Sequence, residues 1–246
     1  MLPRFYSPHL DPEISSVILP PEEARHLTRV LRLGAGAEVT VFDGRGAEYR
    51  AVVEAAVRET ASLRLVERLP AAPPRAVRIT VAQAVLKGDS MDAAVRDATM
   101  MGAEAIVPVL TAHGDVKPSF ARRPETLDRW RRVALASAKQ CRRATLPVIS
   151  ECQDFAPWIA APAAEMRLIF VEPSAGSETI PVTSLLAQAP PGAVTVLLGP
   201  EGGWSAYETA AALAAACLPV SLGPLTLRAD AMPVAALAML QGIWPG

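Results

Sequence analysis

The chain has 246 residues, 51% hydrophobic and 20% charged, enough apolar material for one large or two small cores and too much for a disordered protein. Its 24 basic and 25 acidic residues leave a net charge of −1, a balance that excludes a uniformly basic nucleic-acid binder. The cancellation is not local: residues 117–143 carry nine basic and two acidic side chains, while residues 144–227 carry one basic and seven acidic.

Taken in chain order, the first 70 residues read as short strands. Pro20 to Leu27 opens with prolines and two glutamates, the composition of a helix start. Glu38 to Phe42 reads as a strand, Asp43-Gly44-Arg45-Gly46 as a turn and Ala47 to Ala56 as the returning strand, because Asp-Gly between β-prone runs marks a hairpin. Ser62 to Glu67 alternates as another strand, and the whole is expected to form a small β-barrel. Residues 71–76, within Pro70-Ala71-Ala72-Pro73-Pro74-Arg75 and beyond, break every period and read as a linker.

From residue 77 to 246 the rhythm becomes strand, helix, strand. Strands are expected at Val77–Ala84, Ala105–Leu110, Arg167–Val171, Val194–Leu198 and Pro219–Leu222. Helices are expected at Asp89–Met101 (closed by Gly102), Pro124–Cys141, Ala206–Ala216 and Ala231–Trp244. Such alternation implies an α/β domain with a parallel sheet covered on both faces. Three cysteines without C-x-x-C spacing and three scattered histidines point to no metal site. The start MLPRFYSPHLDPE has no apolar signal core, and no apolar run approaches the ~20 residues of a membrane span. A cytoplasmic protein with no membrane partner is expected.

Two segments carry the chemistry. Leu198-Gly199-Pro200-Glu201-Gly202-Gly203 follows an apolar strand and precedes a helix that starts near Ser205. Ligands of parallel sheets sit beyond the carboxyl ends of strands, where a Gly-rich turn exposes main-chain N–H and C=O groups. The turn lacks the Gly-Lys-Ser/Thr ending of a P-loop, which excludes nucleoside triphosphate hydrolysis of that type. Leu222-Gly223-Pro224-Leu225-Thr226-Leu227-Arg228 repeats the design at a second strand end. Two adjacent turns of this kind make a main-chain pocket floor suited to an adenine-containing ligand, and Arg228, at a helix start, is expected to face a substrate.

The paired Leu-Gly-Pro-Glu-Gly-Gly and Leu-Gly-Pro-x-x-Leu-Arg segments resemble the ribosomal RNA small subunit methyltransferase E family. The resemblance covers nearly the whole chain, through Pro3-Arg4-Phe5-Tyr6, residues His26 to Arg32, Val41-Phe42-Asp43-Gly44, Leu86-Lys87-Gly88-Asp89 and the Gln140 to Arg143 segment. It implies an N-terminal PUA-like β-barrel (1–70), a C-terminal α/β domain of the SPOUT class with a trefoil knot (77–246), and a homodimer. It also implies S-adenosylmethionine as donor and methylation of N3 of a uridine in 16S rRNA of the small ribosomal subunit. Carried over by position, the cofactor would be held by Leu198, Gly199, Pro200, Glu201, Gly202, Gly203, Leu222, Gly223, Pro224, Thr226 and Leu227, with a third loop at Glu172-Pro173-Ser174-Ala175-Gly176.

For the reaction, Arg228 is expected to stabilise or order the uracil, Glu201 or Asp230 to accept its proton, and Gln140 and Arg142 to hold the flipped nucleotide. RNA contacts are expected from Arg4, Arg25, His26, Arg29 and Arg32 in the barrel. Lys117, Arg122, Arg123, Arg131 and Arg132 are expected to add to them, since Arg forks onto phosphate. The chain departs from the family pattern at Asp230-Ala231-Met232, where Glu-Thr-Ala is usual, and at Ser137, where a carboxylate is usual. Two alternatives fit those departures: a catalytically silent RNA-binding homologue, or a SPOUT enzyme acting at another RNA position.

Overall fold

A computed structural model describes every residue except 1, 12, 14, 74, 164, 173–177 and 246. The chain divides into two compact units, Met1–Pro73 with Ala138–Leu146, and Pro74–Ser137 with Pro147–Gly246.

The first unit contains β1 (Arg4–Tyr6), β2 (Ser16–Ile18), α1 (Pro21–Arg25), β3 (Glu38–Phe42), β4 (Glu48–Val57) and β5 (Thr60–Arg68). The expected barrel takes the form of a five-stranded sheet in the order β1-β3-β4-β5-β2, in which only the β1–β3 pair is parallel. The alternating residues Val39, Val41, Ala51, Val53, Ala61 and Leu63 point to one face and close over Phe5, Leu19 and Leu27. In the Asp43 turn, one carboxylate oxygen accepts from the amides of Arg45 at 2.7 Å and Ala47 at 3.0 Å. Gly44 has φ +76°, and a Cβ there would lie 3.0 Å from both Leu146 and Tyr6, so only glycine fits.

Two ion pairs seal this unit. Glu23 accepts from Lys139 Nζ at 2.8 and 2.9 Å and from the Tyr6 amide at 3.2 Å. Arg4 donates to Glu48 at 2.8 and 3.0 Å and to the Ala138 carbonyl at 2.8 Å, and its guanidinium lies 4.0 Å over the Phe42 ring. At 8% exposure Arg4 is therefore a core residue, and it leaves the set of expected RNA contacts. Each of its three nitrogens donates within the fold.

The second unit is an α/β layer structure. Its elements are β6 (Arg78–Ala84), α2 (Asp89–Met100), β7 (Ala105–Leu110), α3 (Pro118–Ala121), α4 (Pro124–Cys141), β8 (Val148–Ile149), β9 (Gln153–Asp154), α5 (Phe155–Ala160), β10 (Met166–Phe170), β11 (Ile180–Pro181), β12 (Ala193–Leu198), α6 (Ala206–Ala214), β13 (Leu218–Ser221) and α7 (Met232–Ile243). Helix α4 begins in this unit, and its residues from Ala138 onward are grouped with the first. The sheet is parallel throughout, in the order β11-β13-β10-β12-β6-β7-β8, with β9 also pairing with β7.

Both faces are buried, as the near-continuous apolar strands require. Val81, Leu168, Val196 and Leu198 pack on one side with Met91, Trp130 and Leu237 from the helices. Ala82, Ile169 and Leu197 pack on the other with Phe155, Ile159 and Ala212. Helix α2 ends as its glycine predicts: Gly102 at φ +84° and Ala103 donate back to Thr99 and Ala98 at 3.0 and 2.9 Å, a Schellman closure. The expected regular elements are all present within two residues of their anticipated ends. The two Gly-Pro turns, however, are not at adjacent strands, because β10 lies between β12 and β13.

Two outcomes follow from this packing. Replacing Lys139 with Ala strands the Glu23 carboxylate and is expected to cost about 3 kcal/mol in urea unfolding, whereas the double change Glu23→Gln with Lys139→Met recovers most of it. Burial pushes the thiols of Cys152 and Cys217 up to about 11, so both stay protonated at pH 8, while Cys141 is half-buried. Iodoacetamide at that pH is expected to add one group to the native protein and three after unfolding, as read by intact mass.

Candidate functional site

The carboxyl ends of β13, β10 and β12 stand side by side, and residues at these ends, with the turns after β12 and β13, line a cavity of about 320 Å³. That size lies at the lower end of small-molecule sites. The β12 turn contributes Gly199, Pro200, Glu201, Gly203 and Trp204. The β13 turn contributes Leu222, Gly223, Leu225, Thr226, Leu227, Arg228, Ala229 and Asp230, with Met232 from the start of α7. Between them β10 supplies Phe170, Val171 and Glu172, and Ser90 of α2 completes the wall. Three parallel strands thus each supply one side.

The β12 turn is fixed by close contacts. A Cβ at Gly199 would lie 3.2 Å from the Trp204 indole, whose Nε1 donates to the Phe170 carbonyl at 2.9 Å. A Cβ at Gly202 would lie 2.9 Å from the His113 Cβ and 3.1 Å from its carbonyl oxygen. Gly203 has φ +69°, a conformation that glycine adopts without cost. His113 Nδ1 sits 3.1 and 3.2 Å from the carbonyl oxygens of Gly202 and Gly203, and since carbonyls only accept, this nitrogen carries the proton.

Glu208 locks the exit of the same turn. Its buried carboxylate accepts from the Ser205 amide at 2.9 Å and the Ser205 hydroxyl at 2.8 Å, while its other oxygen accepts from the Ala112 amide at 2.8 Å. Ser205 Oγ in return accepts from the Glu208 amide, so the start of α6 is a complete capping box. The loop after β7 and the turn after β12 are thereby tied to one carboxylate.

Of the residues expected at the cofactor, Gly199, Pro200, Glu201, Gly203, Leu222, Gly223, Thr226 and Leu227 reach the cavity. Leu198 is fully buried in the core, Gly202 faces His113, and Pro224 is exposed; none of these three is on the lining. Pro173, Ser174, Ala175 and Gly176 of the anticipated third loop lie outside the described residues, while Glu172 is on the wall. Arg228 and Asp230 share the mouth and pair with each other at 3.0 and 3.2 Å, the arginine side chain being 81% exposed. Glu201 accepts from the Lys87 amide at 3.3 Å. Gln140 and Arg142 are exposed residues grouped with the first unit and are not on this lining.

Sequence reasoning missed Trp204, Phe170, Ser90, His113 and Glu208 as site residues. Ser205 followed three positions later by Glu208 is a readable capping signature, and Trp204 directly follows the Gly-Gly pair. Phe170, Ser90 and His113 carry no local signal, because only the sheet order brings them here.

The expected RNA-contact residues divide by their partners. Arg25, His26, Arg29 and Arg32 are all exposed, the first three on α1 and the π-helical turn His26–Val30 that continues it, and Arg32 just beyond that turn. Arg29 makes a loose 3.4 Å pair with Glu59. Arg122 is held by Asp154 at 2.6 Å and Arg131 by Asp128 at 3.5 Å. Lys117, Arg123 and Arg132 are exposed and make no ion pair among the described residues. No group of metal-ligating side chains occurs among the described residues. Among the described residues no helix is long and apolar enough to cross a membrane.

Comparison with known proteins places this geometry. Residues 73–241 match the RNA methyltransferase domain and residues 19–66 the RNA methyltransferase PUA domain. The ribosomal RNA small subunit methyltransferase E of Synechocystis sp. is 33% identical over 93% of this chain and 74% of its own length. A methyltransferase of Legionella pneumophila, solved with bound SAM, superimposes with a TM-score of 0.89 at 26% identity, covering 98% of both chains. The ribosomal RNA small subunit methyltransferase E of Neisseria gonorrhoeae, bound to S-adenosyl methionine, gives 0.86 at 28% identity over 99% of this chain and 98% of its own. With both domain patterns in order along one chain, the protein belongs to the ribosomal RNA small subunit methyltransferase E family.

Proposed function

We propose that the protein transfers a methyl group from S-adenosylmethionine to N3 of a uridine in the 16S rRNA of the small ribosomal subunit. The observation that carries this reading is a cavity in which two glycine turns and the carboxyl end of β10 meet an arginine–carboxylate pair. Its residues fit the cofactor. The glycine turn offers main-chain groups at Gly199 and Gly203, with no side chain over them, and Phe170, Leu222, Leu225 and Leu227 give apolar walls for an adenosine. When bound, the cofactor supplies a sulfonium-activated methyl group and departs as S-adenosylhomocysteine.

The protein's part is to position, deprotonate and neutralise. Uracil N3 carries a weakly acidic imide proton and is occupied in a Watson–Crick pair, so the target base must be unpaired when it enters. Glu201, whose second carboxylate oxygen has no partner among the described residues, accepts that proton. The freed nitrogen lone pair then forms the bond to the methyl carbon. Arg228 donates to a uracil oxygen on which negative charge develops, and Asp230 holds the guanidinium in plane. The shorter Asp230 still reaches Arg228 with both oxygens, so the departure from Glu leaves this pairing intact.

The reading assigns RNA binding to the PUA-like residues 1–70, through Arg25, His26, Arg29 and Arg32, and catalysis to residues 77–246. Gln140 and Arg142 are proposed to steady the extruded nucleotide. A trefoil knot in the catalytic part, a homodimer and a cytoplasmic location belong to the same proposal, by the family resemblance.

Three measurements test it. Mass mapping of 16S rRNA from cells with and without the gene is expected to show N3-methyluridine at one site only when the gene is present. Replacing Arg228 with Ala is expected to cut methyl transfer at least about 100-fold while leaving the calorimetric affinity for S-adenosylmethionine within about threefold. Replacing Gly202 with Ala drives a Cβ into His113 and is expected to weaken that affinity by about tenfold or more.

A further inference from the structure

The second unit contains another cavity, of about 630 Å³, framed by the start of α2, the loop leading to α3, and α4. Its floor is apolar, formed by the buried Leu86, Met91 and Trp130. At its rim stands Phe120, an aromatic ring left 48% exposed, with the Arg123 guanidinium 5.4 Å over its face. Lys87, Lys117, Arg123 and Arg132 also line it, are exposed, and make no ion pair among the described residues. Arg129 differs: Asp89 and Asp92 hold it at 2.9 and 2.6 Å. The cavity shares a wall with the cofactor site. Ser90 faces the first cavity, while Lys87, Gly88, Met91 and Asp92 face the second, and the Lys87 amide donates to Glu201.

We infer that this cavity takes one unpaired nucleotide of the RNA substrate beside the base being methylated, with its base against Phe120 and its phosphate on Lys117 and Arg123. The inference rests on the reading of the protein as an rRNA methyltransferase. An exposed aromatic face flanked by unpaired cations is the arrangement that single-stranded nucleic acid uses, because every base has a π-face and every link a phosphate. A bare phosphate site would not contain acids, yet Asp115 and Glu125 line this one. Carboxylates accept hydrogen bonds from base N–H groups, so cations and acids together suit a whole nucleotide. The common wall then places the flanking nucleotide one turn of α2 away from the methyl-transfer cavity. The strand is gripped on both sides of that wall.

The test uses the full-length protein and 16S rRNA from cells that lack the gene, both in filter binding and, as small subunits, in methyl transfer. Phe120→Ala is expected to weaken rRNA binding and raise KM by between about fivefold and a hundredfold, with kcat within twofold and S-adenosylmethionine affinity unchanged. Phe120→Tyr, which keeps the ring, is expected to restore both. The double charge reversal Lys117→Glu with Arg123→Glu is expected to lower the slope of log affinity against log salt by about two, which loss of packing would not do. Unchanged rRNA affinity in Phe120→Ala overturns the proposal. So does a fall in molecular mass of that variant in light scattering, which would make the cavity a seam between two copies of the chain. Micromolar binding of uridine monophosphate that leaves rRNA affinity untouched would assign the cavity to a free nucleotide and also overturn it. If the wild type binds rRNA and transfers no methyl group, the proposed activity fails while the binding comparison still decides this cavity.

Discussion

One buried carboxylate holds the cofactor-side architecture in place. Glu208 accepts from the Ala112 amide and from both the amide and hydroxyl of Ser205, so it caps α6 and pins the loop after β7 at the same time. A carboxylate at 4% exposure is stable there only because these donors replace water. Removing any one leaves part of that buried carboxylate without a donor. The Gly199–Gly203 turn is suspended between this anchor and His113, which holds its last two carbonyls. The glycines follow from that suspension: a Cβ at Gly202 would meet His113 at 2.9 Å, and one at Gly199 would press on the Trp204 indole at 3.2 Å.

The sheet order explains why such a turn becomes a site. In a parallel sheet every strand delivers its exit turn to the same edge, and neighbouring turns share whatever space lies above them. Strand β10 lies between β12 and β13, so the two glycine turns are spaced apart by one strand and a cavity opens over it. Directly adjacent turns would have packed against each other. The walls consequently come from three segments that are distant in sequence, and α2 adds a fourth.

This arrangement marks what could be read from the residues and what could not. The near-continuous apolar run of β12, the Gly102 closure of α2 and the Ser205-to-Glu208 spacing are local signals, and each element appears where the local rule puts it. The strands of two and three residues, β1, β2, β8, β9 and β11, are too short to show a period and exist because longer partners pair with them. The cavity residues fall into the same two kinds. Those on the Gly-Pro turns announce themselves, whereas Phe170 and Ser90 are ordinary core and helix residues made functional by strand order. Arg4 shows the opposite error: its residue type suggests a phosphate contact, but Glu48, Ala138 and Phe42 consume it within the fold.

The charge pattern gains meaning by the same accounting. A basic stretch of nine positive residues over 117–143 is not nine free charges, because Arg122, Arg129, Arg131 and Lys139 are bound to Asp154, Asp89 and Asp92, Asp128 and Glu23. An exposed pair contributes little to stability, about 0–1 kcal/mol, but it does remove a cation from competition for phosphate, since a phosphate must first displace the carboxylate. Of that stretch, the second-unit cations that make no ion pair among the described residues, Lys117, Arg123 and Arg132, all line one cavity, joined there by Lys87. Arg228 belongs to the first group by geometry, and its pairing has a different consequence. Its guanidinium is already held by Asp230 at the mouth, so in the proposed reaction a uracil drawing on one of its N–H groups would meet a donor oriented before the charge develops. The near-neutral total thus conceals a division of labour, with paired arginines that hold geometry and a few unpaired cations that remain to bind.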